Sequence, residues 1–279
     1  MTKNIAIIGC GAIGSQLAHY LNDGKILGFR LVALYDEEDE KLNLLEKNLK
    51  NKHIGLYADF DKFITSKEFR DTHLVIESAS IAAAKAYTNS LLNHDKDMMI
   101  MSIGAFSDPD FYETTTEIMK KKGNRVYLPT GAIGGSDILR TIRDFITDIT
   151  LITTKPAKSL KGAPFFQERG INVESFKEKT IVFEGDALEA IKQFPSNVNV
   201  SALVSLAGVG FKKTKVMVCI DPSYERNQHE IVVKWKFGEF LIRVKNDPSP
   251  DNPKTSYLAI LSAIECLRSI SDKGFKIGS

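Results

Sequence analysis

The chain reads as an α/β protein in two parts, a doubly wound domain on a parallel sheet followed by an α+β domain on a mixed sheet. Three observations predict this. Short, nearly continuous apolar runs alternate with helix-like segments over the first hundred residues. A Gly-x-Gly-x-x-Gly turn joins the first run to the first helix. After about residue 108 the rhythm changes, and longer strand-like runs follow one another.

The first-half runs are "NIAIIG" (Asn4 to Gly9), "RLVALYD" (Arg30 to Asp36), "HLVIESA" (His73 to Ala79) and "MMIMSIGA" (Met98 to Ala105). Strands buried on both faces have this composition. Helical segments are expected over 12–22, 38–49 and 82–93. The first places Ile13, Leu17 and Leu21 on one face. Strand and helix in alternation predict βαβ units with right-handed crossovers.

The second half opens with "RVYLPTGA" and a helix through "SDILRTIRDF", then a strand over "DITLITTKP". Residues 157–179 are polar and irregular and read as a loop, long enough to close over a substrate. Strand runs return at "KTIVFEG", "KVMVCI", "EIVVKWKF" and "EFLIRVK". The last two meet at Gly238, which predicts an antiparallel hairpin. "NDPSPDNP" is a sharp break. A final helix is expected over 255–271, with Leu258, Leu261, Ile264, Leu267 and Ile270 on one face. The expected division is a nucleotide-binding domain over 1–107 and a substrate and dimerisation domain over 108–253. Residues 254–279 are expected to return to the first domain.

Composition narrows the function classes. The 279 residues are 43% hydrophobic and 26% charged, ordinary for a soluble enzyme. The net charge of +2, from 37 basic and 35 acidic side chains, speaks against nucleic acid or an anionic membrane as partner. No apolar run approaches the ~20 residues of a membrane span. "MTKN" leads straight into a strand, so no signal peptide is expected. Three cysteines, Cys10, Cys219 and Cys266, at long spacings form neither a disulfide framework nor a zinc site, and point to a reducing, cytoplasmic setting.

In "IAIIGCGAIGSQLA" the glycines Gly9, Gly11 and Gly14 lie between strand and helix, the context a dinucleotide fingerprint requires. Gly9 permits the tight turn, Gly11 the close approach of pyrophosphate, and Gly14 the contact of helix with strand. Ala12 and Ile13 open the helix whose free N–H groups face the phosphates. Asp36 ends the second strand, 22 residues after Gly14, where a carboxylate binds both ribose hydroxyls. This favours NAD over NADP, with NADP still possible. Ala79 and Ser80, small residues at the end of another strand, let a cofactor lie against the backbone.

Several longer motifs occur in order: "PTGAIGGSD" (Pro129 to Asp137), "FPSNVNVSALVSLAGVG" (Phe194 to Gly210), "DPSYERNQHEI" (Asp221 to Ile231) and "NDPSPDNPKTS" (Asn246 to Ser256). With "GCGAIG", "ESAS" and "SIGA", the chain resembles the L-aspartate dehydrogenase family over almost its whole length. The resemblance implies an NAD(P)-dependent enzyme that interconverts L-aspartate with iminoaspartate, and so with oxaloacetate and ammonia. Iminoaspartate feeds the quinolinate branch of NAD biosynthesis. It also implies a homodimer, a catalytic histidine at His229, and cofactor contacts from Ala132 and Asn199, with Asn197 as the alternative to Asn199. Thr130, Ser136 and Lys155 depart from the family's usual residues.

The chemistry suits those residues. Oxidising an amine to an imine and then adding water moves a proton at each step, and histidine is the side chain that titrates near neutrality. The two carboxylates of the substrate need cations, for which Arg140, Lys155, Lys158 and Lys161 are candidates. "GAIGG" and "NVNV" each precede a helix, so helix entry and capping are the plain alternatives there. Other readings are a related amino-acid, semialdehyde or homoserine-type dehydrogenase, or an NAD-binding sensor without turnover.

Overall fold

The computed structural model describes residues 2–195, 198–249, 252–272 and 274–275. The chain forms two compact units. The first comprises Met1–Pro129 with Ile260–Lys276. Its elements are β1 (Lys3–Ile8), α1 (Ala12–Asn22), β2 (Phe29–Tyr35), α2 (Asp39–Asn48), β3 (Gly55–Tyr57), α3 (Phe60–Thr65), α4 (Lys67–Arg70), β4 (Leu74–Glu77), α5 (Ile81–Asn93), β5 (Asp97–Ile100), α6 (Pro109–Lys122) and β6 (Val126–Tyr127). The strands form a parallel sheet in the order β3-β2-β1-β4-β5-β6. Chain direction across the sheet reverses between β1 and β4, which opens a crevice at their carboxyl ends. Ile5, Ala6, Ile7, Val75 and Ile76 are wholly buried, as strands covered on both faces require.

The expected boundary after residue 107 falls inside this unit, because β6 pairs with β5 through Met98↔Val126 and Met99↔Tyr127. Helix α6 escaped the sequence reading, as did the shorter strand β3 and helices α3 and α4. Elements of three to six residues are too short to show a period.

The second unit is Thr130–Ala259. It contains α7 (Ser136–Ile142), β7 (Ile146–Lys155), α8 (Pro164–Arg169), β8 (Thr180–Asp186), α9 (Ala187–Gln193), α10 (Val198–Ala207), β9 (Lys215–Ile220), β10 (Asn227–Trp235), β11 (Gly238–Asn246), β12 (Pro248–Ser249) and β13 (Asn252–Ser256). The last helix, α11 (Tyr257–Ser271), starts here, and from Ile260 belongs to the first unit. There Ile260, Ala263, Ile264 and Leu267 join Leu17, Leu21 and Leu31 in one apolar cluster. Each large side chain so buried contributes about 1.5–3 kcal/mol.

Five strands form the mixed sheet, in the order β11-β10-β7-β9-β8. Strand β10 is antiparallel to β11 and β7, β7 is parallel to β9, and β8 is antiparallel to β9. The β10–β11 hairpin runs from Trp235↔Gly238 to Asn227↔Asn246. Strand alternation gives the sheet two unlike faces. One carries Leu151, Thr153, Val218, His229, Ile231 and Val233, all buried. Helices α7 and α10 cover it. A Cβ on Gly135, before α7, would lie 1.9 Å from Ile242 Cδ1, and one on Gly208, after α10, 3.3 Å from Ile149 Cδ1. The other face is more open, with Ile181 54% and Leu241 53% exposed.

The segment read as a loop, 157–179, contains α8 and two short 3-10 turns, Ala157–Leu160 and Val173–Ser175. Leu160, Phe166 and Val173 anchor it, isolated apolar residues that carry no period. Among the described residues no helix is long and apolar enough to cross a membrane.

Candidate functional site

In the first unit the glycine turn divides its labour. Gly9 has φ +93°, and a Cβ there would lie 2.6 Å from the Ala79 backbone nitrogen. A Cβ on Gly14 would lie 1.8 Å from the Gly9 carbonyl oxygen. Both are demanded by the fold. Gly11 is different: it caps α1, its backbone suits any residue, and a Cβ would meet nothing within 4 Å. The open space stands over the N-terminus of α1, whose first N–H groups have no partner within the helix.

That space is part of a cleft of about 390 Å³. Gly9, Gly11, Asp36, Ala79 and Ser80 line it. Ala12 and Ile13 start α1 beside it, half-buried, and Gly14 lies buried beneath. The Asp36 carboxylate is held in place, accepting the Cys10 N–H through Oδ2 at 2.7 Å and the Glu38 N–H through Oδ1 at 3.0 Å. Ser80 caps α5 by accepting the Ala83 N–H at 3.1 Å.

Other residues at the cleft were not singled out from the sequence. Glu37, Glu38 and Lys41 share its rim, with Lys41 Nζ 2.6 Å from Glu38 Oε1. Tyr87 donates to Glu37 Oε1 at 2.7 Å, and its hydroxyl lies 2.9 Å from that of Tyr35. The acidic run "DEED" at 36–39 was the available signal. Glu77, buried at the end of β4, accepts N–H bonds from Ala79, Ser80 and Ser102 at 2.9–3.1 Å and the Ser102 hydroxyl at 2.9 Å. Burial pushes its carboxyl above the usual range, and those bonds oppose the rise. Glu77 thereby ties the β4–α5 turn to the end of β5.

In the second unit His229 sits near the start of β10, 5% exposed. Its Nδ1 lies 3.0 Å from Oγ1 of Thr153, its register partner on β7. Lys155, also 5% exposed, follows two residues along β7 on the same face. Burial, and then the charge of Lys155, lower the His229 pKa to about 3. Burial lowers that of Lys155 to about 8. The ring is therefore neutral near pH 7.

At the same end of the sheet, Asn246 closes β11 and donates through Nδ2 to the Ala132 carbonyl at 2.7 Å. This holds the "GAIGG" turn over the face that carries His229. Gly131 and Gly135 there have φ of +65° and +80°. Asn199 is the second residue of α10 and exposed, and Asn197 lies outside the described residues. The other candidate cations, Arg140, Lys158 and Lys161, are exposed, and Lys161 faces Glu174 at 3.4 Å. The thiols do not suit nucleophilic chemistry. Burial and the nearby Asp36 push Cys10 up to about 12, and burial raises Cys219.

Known proteins resemble the chain along its whole length. Residues 9–129 match the family model described as homoserine dehydrogenase, NAD binding domain, and residues 137–270 that described as aspartate dehydrogenase, C-terminal. An L-aspartate dehydrogenase of Methanococcoides burtonii is 42% identical over 96% of this chain and 97% of its own. One of Nitrosopumilus maritimus is 38% identical over 99% of this chain and all of its own. The crystal structure of aspartate dehydrogenase from Thermotoga maritima superposes with a TM-score of 0.77 at 30% identity, covering 99% of this chain and 100% of that one. The scyllo-inositol dehydrogenase of Lactobacillus casei, at 17% identity and a TM-score of 0.59 over 99% of this chain and 92% of its own, shares the fold. With relatives near 40% identity along nearly every residue, the chain belongs to the L-aspartate dehydrogenase family.

Proposed function

We infer that this chain is an NAD(P)-dependent L-aspartate dehydrogenase, oxidising L-aspartate to iminoaspartate, which water converts to oxaloacetate and ammonia. The observation that carries the reading is His229, a buried neutral imidazole clamped through Nδ1 to Thr153. Its Nε2 is left to exchange a proton. The imidazole takes a proton from the substrate nitrogen and returns one as water adds to the imine.

The cleft fits a dinucleotide. Gly11, Ala12 and Ile13 would hold its pyrophosphate against α1 on the turn that Gly9 and Gly14 shape, and the open space over Gly11 supports the assignment. Asp36 would bind the ribose hydroxyls, and Glu37 and Glu38 beside it disfavour a 2′-phosphate, so NAD is preferred to NADP. Ala79 and Ser80 would lie along the cofactor. Ala132 and Asn199 are assigned cofactor contacts on the family resemblance. When bound, the nicotinamide supplies the hydride acceptor. A cytoplasmic homodimer is assigned on the family resemblance, and the open face of the mixed sheet, which leaves Ile181 and Leu241 exposed, is available to a second copy. Its product enters NAD biosynthesis.

The test is NADH formation, followed by absorbance, with L-aspartate at alkaline pH and with L-homoserine as comparison. Turnover of aspartate alone is expected. Tight NADH binding without turnover of either would make the chain a sensor.

A further inference from the structure

Lys155 is a cation in an unusual place. It ends β7, buried, with its carbonyl accepting the Asp221 N–H at 3.0 Å and Pro156 following. Burying an ammonium removes several kcal/mol of hydration. Lys155 shares the helix-covered face with Thr153 and His229, and its charge acts on the imidazole.

Among the described residues, the groups around the imidazole leave Lys155 as that charge. On β10, Gln228 and Glu230 point to the opposite face, where Glu230 accepts from Gln228 Nε2 and Arg243 Nε, each at 2.8 Å. Strand β11 offers Val244 and Asn246, and β9 offers Val218 and Ile220, all uncharged. Asp221, just beyond β9, accepts the N–H and hydroxyl of Ser223 through Oδ1. The buried residues of α10 are uncharged, from Val198 and Ser201 to Ala207. On α7 the ionisable Asp137 and Arg140 are exposed, while the buried Leu139 and Ile142 are uncharged.

We propose that Lys155 receives a carboxylate of the dicarboxylic substrate, and that this pairing is what lets His229 keep the proton it removes. Without substrate, burial first and the ammonium second oppose a positive charge on the ring, so the imidazole waits as a free base. A carboxylate on Lys155 cancels the ammonium's share of that opposition. The proton then leaves the substrate ammonium, the N–H electron pair stays on the substrate nitrogen, and the imidazole gains the new N–H bond. One contact thus selects a dicarboxylate and adjusts the base for it. A monocarboxylic amino acid would have to spend its only carboxylate there.

This deepens the dehydrogenase reading and rests on it. Succinate is a suitable probe, since it has both carboxylates and no amine to oxidise. The measurement is the NMR titration of the His229 ring, assigned by its loss in His229→Gln, with and without succinate. In the wild type, succinate should raise the midpoint by about one pH unit or more. In Lys155→Met the midpoint should already be raised, succinate should leave it unmoved, and succinate should bind at least about tenfold more weakly. Lys155→Arg, which keeps the charge, should retain most of the succinate response and shows that the site tolerates substitution. Unchanged succinate affinity in Lys155→Met, or a His229 midpoint blind to both succinate and the substitution, would overturn the proposal. If L-aspartate is not oxidised but the coupling appears, the dehydrogenase reading fails alone. If L-aspartate is oxidised equally well by Lys155→Met, this inference fails alone.

Discussion

Replacing Gly11 and Gly14 separately by alanine should split one motif into two kinds of damage. At Gly14 the new methyl would lie 1.8 Å from the Gly9 carbonyl oxygen and 2.7 Å from Ser78 Oγ. The carbonyl cannot swing away, because Gly9 is itself pressed against Ala79. Helix α1 must therefore move off β1 by roughly 1.5 Å to restore an ordinary contact. Overpacking of this kind costs about 1–3 kcal/mol, and the backbone clash places Gly14→Ala near the top. In a unit of this size that lowers the melting temperature by roughly 6–12 °C. At Gly11 the methyl meets nothing, and φ −71° with ψ −166° admits alanine. Stability should change by less than about 1 kcal/mol. The methyl does occupy the space assigned to the pyrophosphate, so NADH affinity should fall at least about tenfold, or ~1.4 kcal/mol. Thermal unfolding and NADH fluorescence titration read the two effects. A Gly11→Ala protein that binds NADH normally would refute the placement of the phosphates. A Gly14→Ala protein as stable as wild type would refute the packing argument.

Asp36→Ser should weaken NADH binding and narrow the NAD over NADP preference at least about tenfold, since a carboxylate no longer faces the 2′ position; comparing kcat/KM for the two cofactors checks this, and an unchanged ratio would remove Asp36 from the specificity argument. Stability should fall on acidification through His229. Its pKa drops from 6.5 in the unfolded chain to about 3 when folded, so between those values the unfolded state binds the extra proton. The loss runs from pH 6.5 down to about 3, with a ceiling of roughly 5 kcal/mol. Urea unfolding at pH 7 and 4.5 should show a loss larger by up to roughly 2.7 kcal/mol in wild type than in His229→Asn; equal losses would mean that the folded imidazole is accessible to protons.

The first unit was legible where its signals are local. Continuous apolar runs named β1, β2, β4 and β5, and the glycine turn marked the start of α1 to the residue. The same logic placed the domain boundary too early. Only two residues of "RVYLPTGA" pair in the parallel sheet, and no local pattern tells an edge strand from the first strand of a new sheet. Half of the site was legible for similar reasons. Gly11, Asp36 and Ser80 announce themselves by position in a strand–turn–helix unit. Thr153 and Lys155 do not. Thr153 acquires its meaning only through the antiparallel register that sets it opposite His229, 76 residues on. Lys155 was one of four candidate cations until burial separated it from Arg140, Lys158 and Lys161. Glu77 was passed over because its four bonds are made by a turn and a neighbouring strand end.

The most direct test of the account is the rate of L-aspartate oxidation by His229→Asn, measured at saturating NAD beside NADH affinity and thermal stability. The account predicts a fall in kcat of about 10²–10⁴ with cofactor binding intact. A variant that keeps its rate within about threefold while folded and loaded would show that some other group moves the proton.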